Sequence, residues 1–340
     1  MSSNKLINSD EKIFIAGSRG MVGGAIKKAL MKAKYGNEKS QGKLLCPTRK
    51  ELNLLNYQEV EDWFKKNKPT VVIIAAAKVG GIMANSTKPY EFIIENLKIQ
   101  SNLIELSWIN KVKRVLFLGS SCIYPKFANQ PIKEEYLLSD YLEETNEFYA
   151  IAKIAGLKLI ESLRKQHKFD AISLMPTNLY GPGDNYHSLN SHVMPSLIRK
   201  FDKALNNNLR EVSCWGSGNP LREFLYVEDF ADSCVYALEN WNPSLRDAPK
   251  DSKGNNLNFL NVGCKFEVSI KELAHKIADI TGYKGEIIWD YTKPDGTPRK
   301  KLDTSKFTQL GWEAETDLEE GIRKTWISYK KELSEKNLRE

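Results

Sequence analysis

The chain has 340 residues, 41% hydrophobic and 10% aromatic, enough apolar material for one large domain or about two ordinary ones, which excludes a disordered chain. Lysine and arginine exceed the acids by a net +7, yet the densest basic run, Pro298-Arg299-Lys300-Lys301, is too short for a nucleic-acid tract and suits anionic small ligands instead. The longest apolar run, Val71–Ala77, is far below the ~20 residues of a membrane span, and Asp10-Glu11-Lys12 precedes any apolar stretch; no membrane segment or secretory leader is expected, and a cytoplasmic chain is.

In chain order, Lys12–Gly17 is a β-branched apolar run that stops at glycine. In Met21–Lys34, residues Val22, Ile26, Ala29, Leu30 and Ala33 recur at helical spacing. The alternation continues with a strand at Lys43–Cys46, a helix at Tyr57–Asn67, a buried strand at Val71–Ala77 and a long helix at Glu91–Asn110. A strand at Arg114–Gly119, a helix at Glu147–His167 and a strand at Ala171–Met175 follow. Near-continuous apolar strands alternating with helices predict an α/β fold, a doubly wound parallel sheet of Rossmann type.

After about residue 180, Pro-, Gly- and Asn-rich clusters such as Gly181-Pro182-Gly183-Asp184-Asn185 separate shorter elements. Helical patterns at Ser191–Asn206, Val227–Asn240, Ile270–Thr281 and Leu318–Leu333 alternate with strands at Val212–Trp215, Phe259–Val262 and Glu286–Trp289. The expected division is a dinucleotide-binding domain over 1–180 and a smaller α/β substrate lobe over 181–340, with some chain returning to the first. Leu245–Asn256 is polar and breaker-rich and reads as a surface loop without chemistry. The five cysteines, Cys46, Cys122, Cys214, Cys234 and Cys264, are odd in number and never spaced as Cys-x-x-Cys, so no disulfide frame and no metal site is expected.

Gly17, Gly20 and Gly23 form Gly-x-x-Gly-x-x-Gly between the first strand and the first helix. A dinucleotide pyrophosphate needs a backbone that turns sharply there, approaches closely and aims helix N–H groups outward. At the end of the second strand, an NAD site usually offers Asp or Glu to the ribose 2′-hydroxyl. Here Thr48-Arg49-Lys50 follows that strand, with Arg19 inside the glycine turn, and these cations suit a 2′-phosphate; NADP(H) is the expected cofactor.

Tyr149 and Lys153 stand four residues apart on a predicted helix and so share a face. A nearby ammonium favours ionised tyrosine, which would bring this hydroxyl toward neutral acid–base work. Ser120 ends the fourth predicted strand, where open α/β sheets bind ligands, and its hydroxyl could hold a substrate oxygen.

The glycine turn, the strand-end serine and Tyr-x-x-x-Lys together resemble the extended short-chain dehydrogenase/reductases that act on nucleotide sugars. The closer wording is Ala75-Ala76-Ala77-Lys78-Val79-Gly80-Gly81-Ile82, Leu118-Gly119-Ser120-Ser121-Cys122-Ile123-Tyr124-Pro125-Lys126, Pro176-Thr177-Asn178-Leu179-Tyr180-Gly181-Pro182, Asn190-Ser191-His192-Val193 and Lys293–Lys300. This wording is similar to the GDP-L-fucose synthase family over residues 12 to 330. The resemblance implies an NADPH-dependent conversion of GDP-4-keto-6-deoxy-D-mannose by C3/C5 epimerisation and C4 reduction. It makes Cys122 and His192 the epimerising base and acid, and Ser120, Tyr149 and Lys153 the reducing group. It further implies cofactor contacts at Gly17, Ser18, Arg19, Gly20, Met21, Val22, Gly23, Arg49, Leu118, Gly119, Ser120, Ser121, Lys153, Pro176, Thr177, Asn178, Leu179 and His192. Lys200, Trp215, Arg222 and Asp295 are implied as GDP-sugar contacts, and the helices after the third and fourth strands as a homodimer interface.

Two departures stand out: Ser18 lies where some members carry His, and the 245–256 loop is longer than usual. Another nucleotide-sugar 4-reductase or 4-epimerase on the same scaffold is the alternative; Cys122 with His192 argues against a 4-epimerase, which needs no acid–base pair for an α-carbon. A catalytically retired scaffold is disfavoured by Ser120, Tyr149 and Lys153 standing together.

Overall fold

Strand, turn and helix alternate from the start of the computed structural model, which describes residues 5–37, 40–188 and 190–339. Met1–Asn4, the start of the supposed leaderless segment, lie outside the described residues. The first half runs β1 (Lys12–Ala16), α1 (Met21–Lys32), β2 (Lys43–Leu45), α2 (Tyr57–Asn67), β3 (Val71–Ile74), α3 (Ile82–Thr87), α4 (Pro89–Ile109), β4 (Arg114–Leu118), α5 (Glu147–His167) and β5 (Ala171–Pro176). Local signals set these ends: the Asn56 side chain accepts from the Gln58 and Glu59 N–H groups at the start of α2, and Pro89 opens α4. The sequence pattern missed α3, a single short segment between glycines and Pro89 that lacks an apolar stripe of its own.

The second half runs β6 (Asn178–Tyr180), α6 (Val193–Asn206), β7 (Glu211–Trp215), β8 (Leu221–Arg222), β9 (Phe224–Tyr226), α7 (Val227–Asn240), β10 (Phe259–Val262), β11 (Val268–Ser269), α8 (Ile270–Thr281), β12 (Glu286–Asp290), β13 (Arg299–Lys300), α9 (Ser305–Gln309) and α10 (Leu318–Ser334).

Six parallel strands form the central sheet in the order β10-β5-β4-β3-β1-β2. Strands β3, β4 and β5 are buried along their whole length because apolar clusters cover both faces, one around Ile13, Leu116 and Phe230, the other around Phe14, Phe64 and Leu103. The chain leaves β1 toward β2 and then crosses back to β3 on the other side of β1, which makes the β1/β3 boundary the switch point of a doubly wound sheet. The register Ala16↔Ile74, Ile74↔Phe117 and Leu118↔Leu174 levels the strand ends, so the segments that follow them emerge along one edge.

Some chain beyond residue 180 returns to the first half. Phe259–Val262, read as a strand of the second region, is the edge strand of the central sheet beside β5, and α7 packs on α1. Its one polar residue, Asn261, is buried, but Oδ1 accepts from the Tyr124 hydroxyl at 2.6 Å and Nδ2 donates to the Ile132 carbonyl at 2.9 Å, so the strand tolerates it. The remaining chain beyond β5 builds a separate apolar cluster around Tyr186, Phe201, Ile277 and Ile322, with β6 paired to β9, β7 to β12, and β8 to both β11 and β13. Helix α8 opens with a Ser269/Glu272 capping box and closes on Gly282 in the left-handed region. Among the described residues no helix is long and apolar enough to cross a membrane.

Candidate active site

Gly17 sits at φ +87, and a Cβ there would lie 2.7 Å from the Ala76 nitrogen, so the segment leaving β1 passes directly against the one leaving β3. A Cβ on Gly23 would overlap the Gly17 carbonyl; its absence lets α1 start close against the turn. Gly20 is the N-cap of α1, offers no side-chain oxygen, and is followed by no acid in the first turn. The helix therefore presents unsatisfied N–H groups and the positive end of its dipole to the cleft, an arrangement that fits a dinucleotide pyrophosphate. Arg19 and Arg49 are exposed at the rim. The one acid near the end of β2, Glu51, accepts from the Thr48 N–H at 2.7 Å, a bond that holds its carboxyl below the usual range, with Arg19 adding to the effect. That carboxylate is committed to its own turn.

One strand away, Ser120 follows β4 and its Oγ accepts from the Cys122 N–H at 3.2 Å, capping a single 3-10 turn over Ser121–Ile123. Tyr149 and Lys153 lie one turn apart on α5. Lys153 Nζ donates to the Leu118 carbonyl at 2.8 Å and stands 4.8 Å from the Phe117 ring centre and 5.8 Å from that of Tyr149. Burial pulls its ammonium down to about 7. Tyr149 is pushed up from its ordinary value of 10, by burial first and the neighbouring Cys122 second, while a hydrogen bond with Ser120 pulls it back. The expectation that Lys153 draws the tyrosine toward neutrality is therefore corrected for the cofactor-free protein. Desolvation favours the neutral form of both groups.

Cys122 has two donors on its sulfur: Lys300 Nζ at 3.5 Å and Asn146 Nδ2 at 3.6 Å. His192 is the N-cap of α6, where the end of the 181–192 loop delivers it to the cleft. The loop after β3 helps to place it, since the Gly81 N–H donates to the Asn190 carbonyl at 3.0 Å. Enclosure by the cleft walls lowers the imidazole from 6.5, and the Lys300 charge lowers it further.

Toward the lobe, Lys200 Nζ donates to the Ser213 carbonyl at 2.9 Å and lies 5.6 Å from the Trp215 ring centre; Lys293 Nζ is 5.7 Å from the same ring. Trp215 is 44% exposed, so it forms cleft wall and not core. Burial lowers both Lys200 and Arg222 from their ordinary values. Both carboxylate oxygens of Asp295 accept from Ser217, at 2.7 Å each, which ties the turn after β7 to the segment before β13.

Every residue expected to act in catalysis or to contact cofactor or GDP-sugar, from Gly17 through Arg49, Ser120, Pro176 and His192 to Asp295, lines one continuous cleft of about 930 Å³, whereas Lys50 does not. Sequence reasoning missed Asn53, Asn146 and Lys300, which line it too. Asn146 was findable as the N-cap residue of α5, three residues before Tyr149; Lys300 reaches Cys122 through the pairing of β13 with β8, a contact without a sequence signal. Among the described residues no group of three His, Cys, Asp or Glu could hold a metal ion, and all five cysteines are free.

Comparison with known proteins agrees with this geometry. The chain is 48% identical over 330 residues to GDP-L-fucose synthase 1 of Arabidopsis thaliana, covering 97% of this chain and 96% of that one. It is 48% identical over 318 residues to the GDP-L-fucose synthase of Escherichia coli strain K12, covering 94% and 96%. Among solved structures it is similar to a GDP-mannoheptose C4 reductase from Campylobacter jejuni with NADP bound, at a TM-score of 0.83 and 34% identity, covering 95% of this chain and 99% of that one. The model of the NAD dependent epimerase/dehydratase family matches residues 13–246, a span that holds the glycine turn, the Tyr–Lys pair and both ends of the cleft up to Arg222. With a switch-point glycine turn, a strand-end serine and that match, the chain belongs to the NAD dependent epimerase/dehydratase family.

Proposed function

We infer that the chain carries out the GDP-L-fucose synthase reaction: GDP-4-dehydro-6-deoxy-D-mannose is epimerised at C3 and C5 and then reduced at C4. The carrying observation is that Cys122 and His192 open on the same cleft as Ser120, Tyr149 and Lys153. A simple 4-reductase has no use for a second acid–base pair, whereas inversion beside a carbonyl requires one.

In this reading the Cys122 sulfur removes the proton α to the C4 carbonyl, with Lys300 and Asn146 supplying the donors an anionic sulfur needs. The electron pair moves onto the C4 oxygen, which Ser120 and Tyr149 hold by hydrogen bonds. His192 returns a proton to the same carbon; its lowered value makes the imidazolium the stronger donor. NADPH, when bound, supplies the hydride for C4. Tyr149, protonated throughout the neutral range, gives its proton to the resulting alkoxide, which is basic enough to take it.

The preference for NADPH over NADH rests on Arg19 and Arg49 at the rim and on the commitment of Glu51 to Thr48. Lys200, Trp215 and Arg222 supply the charge and the aromatic face for the GDP end, and Asp295 positions their loops. Residues 1–180 would hold the dinucleotide and 181–340 the GDP-sugar, apart from α7 and β10. A homodimer through α4 and α5 is part of the reading, supported by the exposed apolar Tyr90, Ile109, Phe148 and Ile151 on those helices; a monomeric mass by light scattering would remove it. The test of function is NADPH consumption with GDP-4-dehydro-6-deoxy-D-mannose, with product stereochemistry by NMR. No consumption overturns the assignment, and reduction without inversion turns it into a simple 4-reductase.

A further inference from the structure

The segment after α10 returns to the glycine turn. Leu338 packs on the lobe cluster, the Tyr186 N–H donates to the Arg339 carbonyl at 2.8 Å, and Glu332 Oε1 accepts from the Gly183 N–H at 3.1 Å and from the Ser328 hydroxyl at 2.7 Å. These bonds stitch the end of α10 to the loop that precedes His192. They carry Arg339 into the lining of the cleft, where its Nη1 lies 3.8 Å from the point that a Cβ on Gly20 would occupy.

A guanidinium at that point stands beside the positive end of α1, which has neither a capping oxygen nor a first-turn acid. Two like-signed features so close are mutually unfavourable, and both are complementary to an anion placed between them. Among the described residues no carboxylate forms an ion pair with Arg339. Asp184, which feels its charge, is 4% exposed with Oδ2 unpartnered, and burial holds its carboxyl up to about 7. Arg49 stands two residues before Glu51, and Arg19, next to Gly20 in the glycine turn, acts on the same carboxylate.

We propose that Arg339 is a cofactor-binding residue that, with the N-terminus of α1, contacts the dinucleotide pyrophosphate and so ties the lobe to the dinucleotide half when cofactor binds. This rests on the cofactor reading above. It divides the labour among the arginines: Arg339 serves a group common to NADPH and NADH, Arg49 the 2′-phosphate that only NADPH carries.

The test is a fluorescence titration of wild type, Arg339→Gln and Arg339→Lys with NADPH and with NADH. Arg339→Gln should weaken both dinucleotides by the same factor, about five- to tenfold for loss of a charge-assisted bond, and Arg339→Lys should recover part of it. The backbone carbonyl keeps its bond to Tyr186 in each variant, so the melting midpoint should not fall. Wild-type binding with an unchanged Arg339→Gln overturns this proposal alone, as does a loss confined to NADPH. Wild type that binds neither dinucleotide overturns the cofactor reading and this proposal with it.

Discussion

The two halves of the cleft are built by different means. On the sheet side the site is mainly backbone: Gly17, Gly20, Gly23 and the ends of β1, β3 and β4 shape it, and the strands behind are buried throughout. On the lobe side it is mainly side chain: Lys200 projects from α6, Trp215 and Arg222 from strands of five and two residues, and β7 alternates exposed and buried residues. A backbone site reads a feature shared by many ligands, whereas a side-chain site can be re-cut for one. This fits a scaffold that keeps a nicotinamide-dinucleotide site while the names of its neighbours give different sugars.

The largest effects should fall where the halves meet. Tyr149→Phe should cut C4 reduction by about 10²- to 10⁴-fold while sparing exchange of the C3 and C5 protons with D₂O followed by NMR; Cys122→Ser should do the reverse. Native-rate exchange in Cys122→Ser would remove the thiol from the reaction. Next, each side should respond to its own ligand. Arg222→Ala should raise KM for the nucleotide sugar by about tenfold or more with NADPH affinity kept, and Arg49→Ala should weaken NADPH by about tenfold while NADH changes little. Equal losses of both dinucleotides in Arg49→Ala would reduce that arginine to a structural role.

The smallest effect tests burial on the sheet side. Lys153 falls from 10.5 unfolded to about 7 folded, so between those values the unfolded chain binds more protons and stability rises with pH; below about 7 the full penalty is present. Cofactor-free Lys153→Met should therefore melt above wild type at and below neutrality, with the gap closing toward pH 10.5 at a slope of at most roughly 1.4 kcal/mol per pH unit. A gap independent of pH would show that the ammonium is not desolvated.

Much of this was legible before any coordinates. Continuous apolar strands such as Val71–Ile74 can belong only to a sheet covered on both faces, and the helical repeat in Met21–Lys32 starts where the glycines end. Phe259–Val262 was legible as a strand but not as the edge of the central sheet, because four residues do not say which sheet edge they complete. The expected effect of Lys153 on Tyr149 failed for a related reason: residue spacing reports who shares a helix face but not how much water is left around them.

By itself the sequence determined the doubly wound class, the glycine turn and the identity of the groups that could move protons, because periodicity, backbone tolerance and side-chain chemistry are local properties. Only the tertiary structure decided that Lys300 and Asn146 reach the Cys122 sulfur, that α7 and β10 return to the first half, and that Arg339 comes back to Gly20. Each of these joins residues far apart along the chain, and such contacts exist only once strand pairing and burial have fixed which surfaces meet.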